Sequence, residues 1–463
     1  MGILEDFQCF FAPKSILIIG TSRNEYTANG VVLKNLLEAR YNVPLFILHP
    51  YTKRIMNIPT IQSLADLQTI TPKPELVIIL TRHNLIETLE ALGQNGIKYV
   101  LLQTDLIYIS KETEYEKLTL QIREIASQYN LRILGPSMIG IIDFFSGFTS
   151  SIIPIRSHIL QMTRKNKWES GVSFFAQSGG LSGACGWWNL PQPVPFAKVF
   201  HIGKQILITE AEMLEFLFND PQTRVITLYL KSISADLIRV ARKYMGIKPI
   251  LFKYVGKDQN KEYKFQQAGA LEVENYIELF EYAKVLMWCP PPSNDKVGII
   301  GPSSGAINLL IAEMRRQEIH LALLRKENRD FILSRIGGST CELGNPVDYW
   351  PPKEFVGTQV CQVYFEASKS LLRDPNVGTL FLALEFFTEI EFDFGIFETI
   401  QKRFPEKPII AILIQAEHEG AQRIIQIGNE LHIPVFINEV ERGVRALKIL
   451  WKYYNKIHRS TQE

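Results

Sequence analysis

Short apolar runs alternate with amphipathic stretches along nearly the whole of this 463-residue chain. Ser15–Gly20, Val43–Pro50, Glu75–Thr81, Lys98–Gln103 and Leu131–Pro136 read as strands. Gly30–Arg40, Asn84–Gly96 and Lys111–Asn130 between them have helical spacing. Strands that are apolar on both faces are covered on both sides, which predicts parallel sheets. Alternation with helices predicts a doubly wound α/β fold. The pattern resumes with Gly171–Ala176, Arg224–Leu230 and Lys248–Gly256, and again after "WCPPPSNDK" at Trp288–Lys296. Three successive prolines fit neither a helix interior nor a central strand, so this is the clearest linker. The expected domains are 1–148, 149–289 and 290–463. No short-period repeat is present; what recurs is strand, Gly/Ser turn, helix.

Composition narrows the function classes. Hydrophobic residues make up 46% and the net charge is +2, which suits globular cores and not a disordered chain. Cations are dispersed without a basic stripe, so nucleic acid is not an expected partner. No apolar run reaches the length of a membrane span. The opening "MGILEDFQCFF" is too short and acidic for a signal peptide, and Asp6 breaks the myristoylation pattern. Cys9, Cys185, Cys289, Cys341 and Cys361 lie far apart without a CxxC pair. Scattered reduced thiols in a cytoplasmic protein, with no zinc ribbon and no metal site, are the expectation.

Two glycine turns stand out. In "GVSFFAQSGGLSGACGWW" (Gly171–Trp188) an apolar strand runs into Gln177-Ser178-Gly179-Gly180 and then a helix. Glycine there either closes the turn for packing or opens a helix start to an anion. In "IIGTSRNEYTANGVVLKNLL" the first strand ends at Gly20. A dinucleotide fingerprint would add two more spaced glycines. An NAD site would also place an acid after the second strand; instead His49 and Pro50 lead into Tyr51, Thr52, Lys53 and Arg54. A basic cluster suits a phosphorylated ribose, as in NADP or coenzyme A, or is simply a solvated loop.

The order of motifs resembles the NDP-forming acyl-CoA synthetases. "FFAPKSILIIGTSRN", "RILGPSMIGII", "GVSFFAQSGGLSGA", "IGKQ", "GNPVDY" and "IPVFINEVERGVRALKIL" occur in the family's sequence order across nearly the whole chain. More narrowly they resemble the alpha subunit of ADP-forming acetate–CoA ligase, and more distantly that of succinyl-CoA synthetase. The resemblance implies an N-terminal Rossmann-like CoA-binding domain followed by two flavodoxin-like domains. It also implies a separate ATP-grasp beta-type partner in a hetero-oligomer, through which ATP or ADP and Mg would act. By the same resemblance Gly20, Thr21, Ser22 and Arg23 match the CoA phosphate loop, and Pro136 and Ser137 the loop near the pantetheine arm. Ser137 departs from the family's usual Asn. Lys53 would meet the 3′-phosphate of CoA. Gln177, Ser178, Gly179 and Gly180 would face phosphate during catalysis, and Glu215 matches the acid that braces a phosphorylated histidine.

That histidine is absent from its expected place. The family carries it in a Ser-His-Thr-Gly loop between a strand ending Lys-x-Gly and a helix beginning Phe-x-Gln-Ala-Gly. Here the flanks "LFKYVG" and "KFQQAGALEV" enclose only Lys257–Tyr263, "KDQNKEY". Imidazole suits phosphoryl relay because its neutral nitrogen is nucleophilic near pH 7. His201 in "VFHIGKQ" is the one substitute near the same centre, although a histidine at a strand end is commonly structural. His49, His83, His158, His320, His418, His432 and His458 have no better claim. Three readings follow: an alpha-like subunit that binds CoA or acyl-CoA without the normal relay, an active acid–CoA ligase using another residue or a partner's, and an NADP-dependent enzyme.

Overall fold

The computed structural model describes residues 2–106, 112–165, 167–188, 193–336, 344–349, 358–386 and 392–460. The chain forms two compact units, Met1–Leu190 with Val194–Tyr276, and Ile277–Glu463 with 191–193. The division falls ahead of the proline run, because helix Glu278–Trp288 packs on helix Val440–Ser460 of the second unit. Arg445 reaches the fully buried Glu278 at 2.8 Å across that helix pair.

The first unit holds two sheets. In the first, β1 (Ile16–Ile19), β2 (Leu45–Leu48), β3 (Arg54–Ile55), β4 (Ile58–Ile61), β5 (Leu76–Ile79), β6 (Tyr99–Leu102) and β7 (Arg132–Leu134) lie in the order β3-β4-β2-β1-β5-β6-β7. All pairings are parallel except the β3–β4 hairpin. β1, β5 and β6 are buried at every position, as their unbroken apolar sequence requires. The chain winds outward from β1 through β2 and then returns to β5 on the other flank. Ligand crevices of open α/β sheets lie outside the carboxyl ends of strands at such a reversal.

The second sheet holds β8 (Ile141–Asp143), β9 (Gly171–Ala176), β10 (Phe196–His201), β11 (Thr223–Leu230), β12 (Ile250–Tyr254) and β13 (Leu271–Glu272), in the order β13-β12-β11-β9-β10-β8. Only β8 runs antiparallel. The reversal here falls between β9 and β11. Helix Ile3–Phe11 joins the two sheets into one core. Phe11 stacks on Phe216 at 5.1 Å and meets Phe200 edge-on at 5.5 Å, while Asp6 on its outer face pairs with Lys98 at 2.7 Å. A wholly buried Lys198 on β10 pairs with Asp220 at 2.9 Å and Asp143 at 3.2 Å, and donates to Gln222 at 2.8 Å. Removing one member of such a cluster strands a charge in the core, at a cost of about 3–5 kcal/mol.

The second unit is a parallel sheet of β14 (Lys296–Gly301), β15 (His320–Leu321), β16 (Val347–Asp348), β17 (Thr379–Phe386), β18 (Ile409–Ala416) and β19 (Val435–Ile437). The order is β15-β14-β17-β18-β19, with β16 beside β14. Its reversal falls between β14 and β17. The buried Asn345 of "GNPVDY" substitutes for missing strand pairing. Its amide nitrogen donates to the Val297 and Ala322 carbonyls at 2.9 Å each, and its oxygen accepts from Ile299 N–H at 3.0 Å. The α/β class and the succession of parallel-sheet domains are those expected. The apolar run Ile319–Leu324 holds a strand of only two residues, His320–Leu321, because Leu323 is exposed and Lys326 already opens a helix. Among the described residues no helix is long and apolar enough to cross a membrane, and no cluster of three or more His, Cys, Asp or Glu is placed to hold a metal ion.

Candidate functional site

The crevice of the first sheet opens beside Gly20. Its φ of +85° is the left-handed region that favours glycine, and a Cβ there would lie 2.6 Å from Thr81 Cγ2 across the reversal. Thr21 is buried and donates to the Asn29 carbonyl at 2.9 Å; Asn29 returns 3.1 Å bonds to the Gly20 and Leu80 carbonyls. The turn is thus fixed from within, and Arg23 just beyond it is exposed. Ser22 Oγ accepts from Asn24 N–H at 3.1 Å. The helix itself begins only at Ala28, with Thr27 as its cap accepting from Gly30 N–H. The Gly20–Arg23 turn and the helix start are therefore two features, and the loop between them lies over Gly30, whose Cβ would sit 2.0 Å from the Asn24 carbonyl oxygen.

Lys53 is exposed just before the β3–β4 hairpin, and its carbonyl accepts from Thr60 N–H at 3.1 Å. It lies on the β2–β4 flank of Gly20. Pro136 and Ser137 lie on the β6–β7 flank. Ser137 takes φ +59°, donates to Asp105 at 3.1 Å and accepts from Leu106 N–H at 3.3 Å. Lys204 N–H donates to the Pro136 carbonyl at 2.8 Å, so this loop rests on the connection that follows β10.

The crevice of the second sheet is the better-defined site. Gln177 ends β9 and bridges the reversal. Its oxygen accepts from Lys231 N–H at 2.6 Å and Ser232 N–H at 2.9 Å, at the end of β11. Its nitrogen donates to the Ser232 carbonyl at 3.0 Å and to Glu210 at 2.6 Å. Glu210 is buried and is itself seated by Gln205, whose side chain donates to it at 3.3 Å and accepts its backbone N–H at 2.9 Å. This network fixes which way the Gln177 amide faces.

Helix Gly179–Trp188 begins directly beyond. Its first N–H groups have no intrahelical partner. Gly179 is tightly enclosed: a Cβ would lie 2.3 Å from Ile139 Cγ1 and 3.5 Å from His201 Nδ1. Gly180 has nothing within 4 Å, so a side chain there would not crowd the turn, contrary to a close backbone approach at that residue. His201, at the end of β10, accepts from Ile139 N–H through Nδ1 at 3.3 Å. Burial, aided by the charge of Lys231, lowers its pKa to about 4. The imidazole is neutral at pH 7, and because Nδ1 accepts, its proton sits on Nε2.

Glu215 does not join this site. It accepts from Lys243 at 2.6 Å and Tyr244 at 2.8 Å, and Lys243 holds its carboxyl below the ordinary range. Five residues along its helix from Glu210 is a rise of roughly 7.5 Å, and its carboxylate is committed to the neighbouring helix. The acid at the crevice is Glu210 and the cation is Lys231, neither of which sequence reasoning singled out. Thr209-Glu210-Ala211-Glu212 does carry a capping-box signature that locates the helix start. Lys231 has no comparable local signal.

The segment Lys257–Tyr263 is not a loop. Val255–Asp258 connects β12 to helix Gln259–Gln267, and Asp258 caps that helix by accepting from Lys261 N–H at 3.0 Å. Asp258 N–H in turn donates to Tyr254 at 3.0 Å.

The description "CoA binding domain" matches residues 14–143, and "succinyl-CoA ligase like flavodoxin domain" matches residues 169–264. The alpha subunit of ADP-forming acetate–CoA ligase II from Pyrococcus furiosus is 23% identical over 88% of this chain and 89% of its own. The alpha subunit of the same organism's isozyme I is 23% identical over 96% and 97%. The ADP-forming acetate–CoA ligase II of Archaeoglobus fulgidus is 26% identical over 97% of this chain and 67% of its own. Among solved structures, a Pyrococcus horikoshii protein superposes with TM-score 0.84 at 22% identity, covering 97% and 99% of the two chains. The dinucleotide-forming acetyl-coenzyme A synthetase 1 of Ca. Korarchaeum cryptofilum gives 0.83 at 19%, covering 99% of each. The chain thus carries a CoA-binding domain followed by a succinyl-CoA ligase-like flavodoxin domain, and its homologues include the alpha subunits of ADP-forming acetate–CoA ligases.

Proposed function

We propose that this chain is an alpha-like subunit that binds CoA or an acyl-CoA and holds a phosphate-type anion at the Gln177–Lys231 crevice without relaying a phosphoryl group. The observation that carries the reading is the Val255–Asp258 connection, which passes from strand to capped helix and contains no histidine. A relay needs a nucleophile that approaches in line and then travels, and displacement of about 1 Å can cost around a hundredfold. His201 meets neither need. It sits at a strand end, and the nitrogen facing Gly179 is already used by Ile139 N–H.

The residues present fit CoA. The Gly20 turn is locked from within by Thr21 and Asn29, which leaves Ser22 and Arg23 to meet the diphosphate. Lys53 on one flank would take the 3′-phosphate, and Pro136 and Ser137 on the other would line the pantetheine arm. CoA supplies a thiol that carries an acyl group as a thioester; the chain binds and orients it. At the second crevice Gln177 fixes the backbone of Lys231 and Ser232. Lys231, the helix start at Ser178-Gly179-Gly180 and His201 Nε2–H supply positive charge and donors. In this reading ATP or ADP and Mg act through an ATP-grasp beta-type partner in a cytoplasmic hetero-oligomer. The curated relatives named as alpha subunits support a partnered chain.

Calorimetry of the whole chain with CoA and with NADP tests the reading. CoA binds, and replacing Ser22 by Ala and Arg23 by Glu weakens it at least tenfold. Absence of CoA binding, or tighter binding of NADP, would sink the proposal.

A further inference from the structure

A cavity of about 280 Å³ opens beyond the carboxyl ends of β5 and β6. Helix Leu85–Gln94 supplies Leu85 and Ile86 to its wall, helix Glu112–Tyr129 supplies Leu118, and the connection after β6 supplies Leu106. Leu85 and Leu106 are buried, and Ile86 and Leu118 pack half-buried against the same core. The charged residues of the lining, Arg82 and Glu87, are both exposed. The charges therefore stay in water, and the enclosed part of the wall is aliphatic.

The cavity lies between the Gly20 turn and the Pro136–Ser137 loop. On the first side Leu80 N–H donates to the Ile19 carbonyl at 2.9 Å, and a Cβ on Gly20 would lie 2.6 Å from Thr81 Cγ2. The chain that leads into Arg82 thus runs against the Gly20 turn. On the second side Leu106 N–H donates to Ser137 Oγ at 3.3 Å, and Ser137 N–H donates to the Thr104 carbonyl at 3.1 Å. An aliphatic chamber set between a phosphate turn and a polar loop suits a ligand whose parts come in the same order. In CoA the diphosphate leads through a single methylene to a carbon bearing a pair of methyl groups, and a hydroxyl and amides follow. The volume is below the roughly 300–1,000 Å³ of sites that enclose a drug-sized ligand, so it takes a fragment and not the whole cofactor.

We infer that this cavity seats the dimethyl-bearing pantoyl unit of CoA, with Leu85, Ile86, Leu106 and Leu118 around its methyl groups. The inference rests on the reading that the chain binds CoA, and it adds which residues read the middle of the ligand. Removing those methyl groups from water makes the pantoyl unit an apolar anchor between two polar ends. The adenosine half of CoA stays outside the cavity.

Titration calorimetry of the whole chain with CoA, 4′-phosphopantetheine and 3′-phosphoadenosine 5′-phosphate divides the ligand at that point. Leu118→Trp fills the cavity from a half-buried position, and Ile86→Asp sets a charge against the methyl groups. Each variant weakens CoA and 4′-phosphopantetheine about tenfold. Each leaves the affinity for 3′-phosphoadenosine 5′-phosphate unchanged, which also reports that the domain is folded. Unchanged CoA affinity in both variants overturns the inference. An equal loss for both halves of the ligand overturns it as well, since the cavity then does not tell them apart. A parent chain that binds no CoA sinks the CoA reading itself, whereas CoA binding that both variants retain overturns the pantoyl seat alone.

Discussion

Two crevices of this chain share one local design and differ in charge. In the sheet of β9 to β13, the turn Gln177–Gly180 opens a helix at the strand reversal, and the end of β11 answers it with Lys231. In the sheet of β14 to β19, Gly301-Pro302-Ser303-Ser304-Gly305 does the same, and the end of β17 answers it with Glu385. Ser303 caps that helix by accepting from Ala306 N–H, and its hydroxyl donates to Glu385 at 2.8 Å. Tyr349 N–H donates to the Gly301 carbonyl at 2.9 Å, which brings Asp348 on β16 close by. A strand, a glycine-serine turn and a helix therefore do not define an anion site. The side chains that close the crevice set its charge: Lys231 beside the buried Glu210 in one sheet, and Glu385 with Asp348 close by and no cation in the hydrogen-bonded set in the other.

The steepest contrast is steric. Gly179→Val would drive Cβ into Ile139 Cγ1, where 2.3 Å is available, and should cost about 3 kcal/mol in chemical denaturation of the first unit. Gly305 lies in a helix with nothing within 4 Å, and valine is a better helix former than glycine, so Gly305→Val should be neutral or slightly stabilising. Equal losses would mean that the two turns are packed alike.

The next contrast is acid sensitivity. His201 has a folded pKa of about 4 against an ordinary 6.5, so the stability it contributes is present above 6.5 and lost as pH falls through 4. Between those values β10 should lose protection against hydrogen exchange worth up to about 3 kcal/mol, and His201→Gln should remove most of that dependence. β14, which has no histidine, should show no matching trend. Acid loss of the same size in His201→Gln would place its origin elsewhere.

The smallest of the three effects concerns ligands. Lys231→Glu should weaken phosphate or sulfate binding about tenfold, or about 1.4 kcal/mol, by giving the first crevice the charge of the second. Glu385→Gln should leave anion binding unchanged. Isothermal titration of both variants decides it; a stronger effect from Glu385→Gln would move the anion site to the second unit.

What could be read from the sequence divides along the same line. β9 and its helix were legible because an apolar run, a polar knot and small residues are contiguous. The identity of the closing residue was not, because Lys231 meets Gln177 across 54 positions and Glu385 meets Ser303 across 82. Glu215 drew attention through a motif, yet its helix turns it toward Lys243 and Tyr244. The shortness of the Gly256–Lys264 span was legible, but Asp258 is a plain helix cap that the resemblance to a loop concealed. Strands of two residues such as β13 and β16 carry no period of their own; their neighbours create them.

The central claim is that this chain binds without relaying, and phosphoryl labelling tests it most directly. Whole protein is incubated with acetyl phosphate, or with ATP and a candidate ATP-grasp partner, and acid-labile phosphohistidine is measured by mass spectrometry under alkaline conditions. The account predicts no phosphohistidine at any of the eight histidines, under conditions in which a relay-bearing homologue labels fully. A phosphoryl group that appears in the parent chain and vanishes in His201→Ala would contradict it, and would make the end of β10 the seat of the relay.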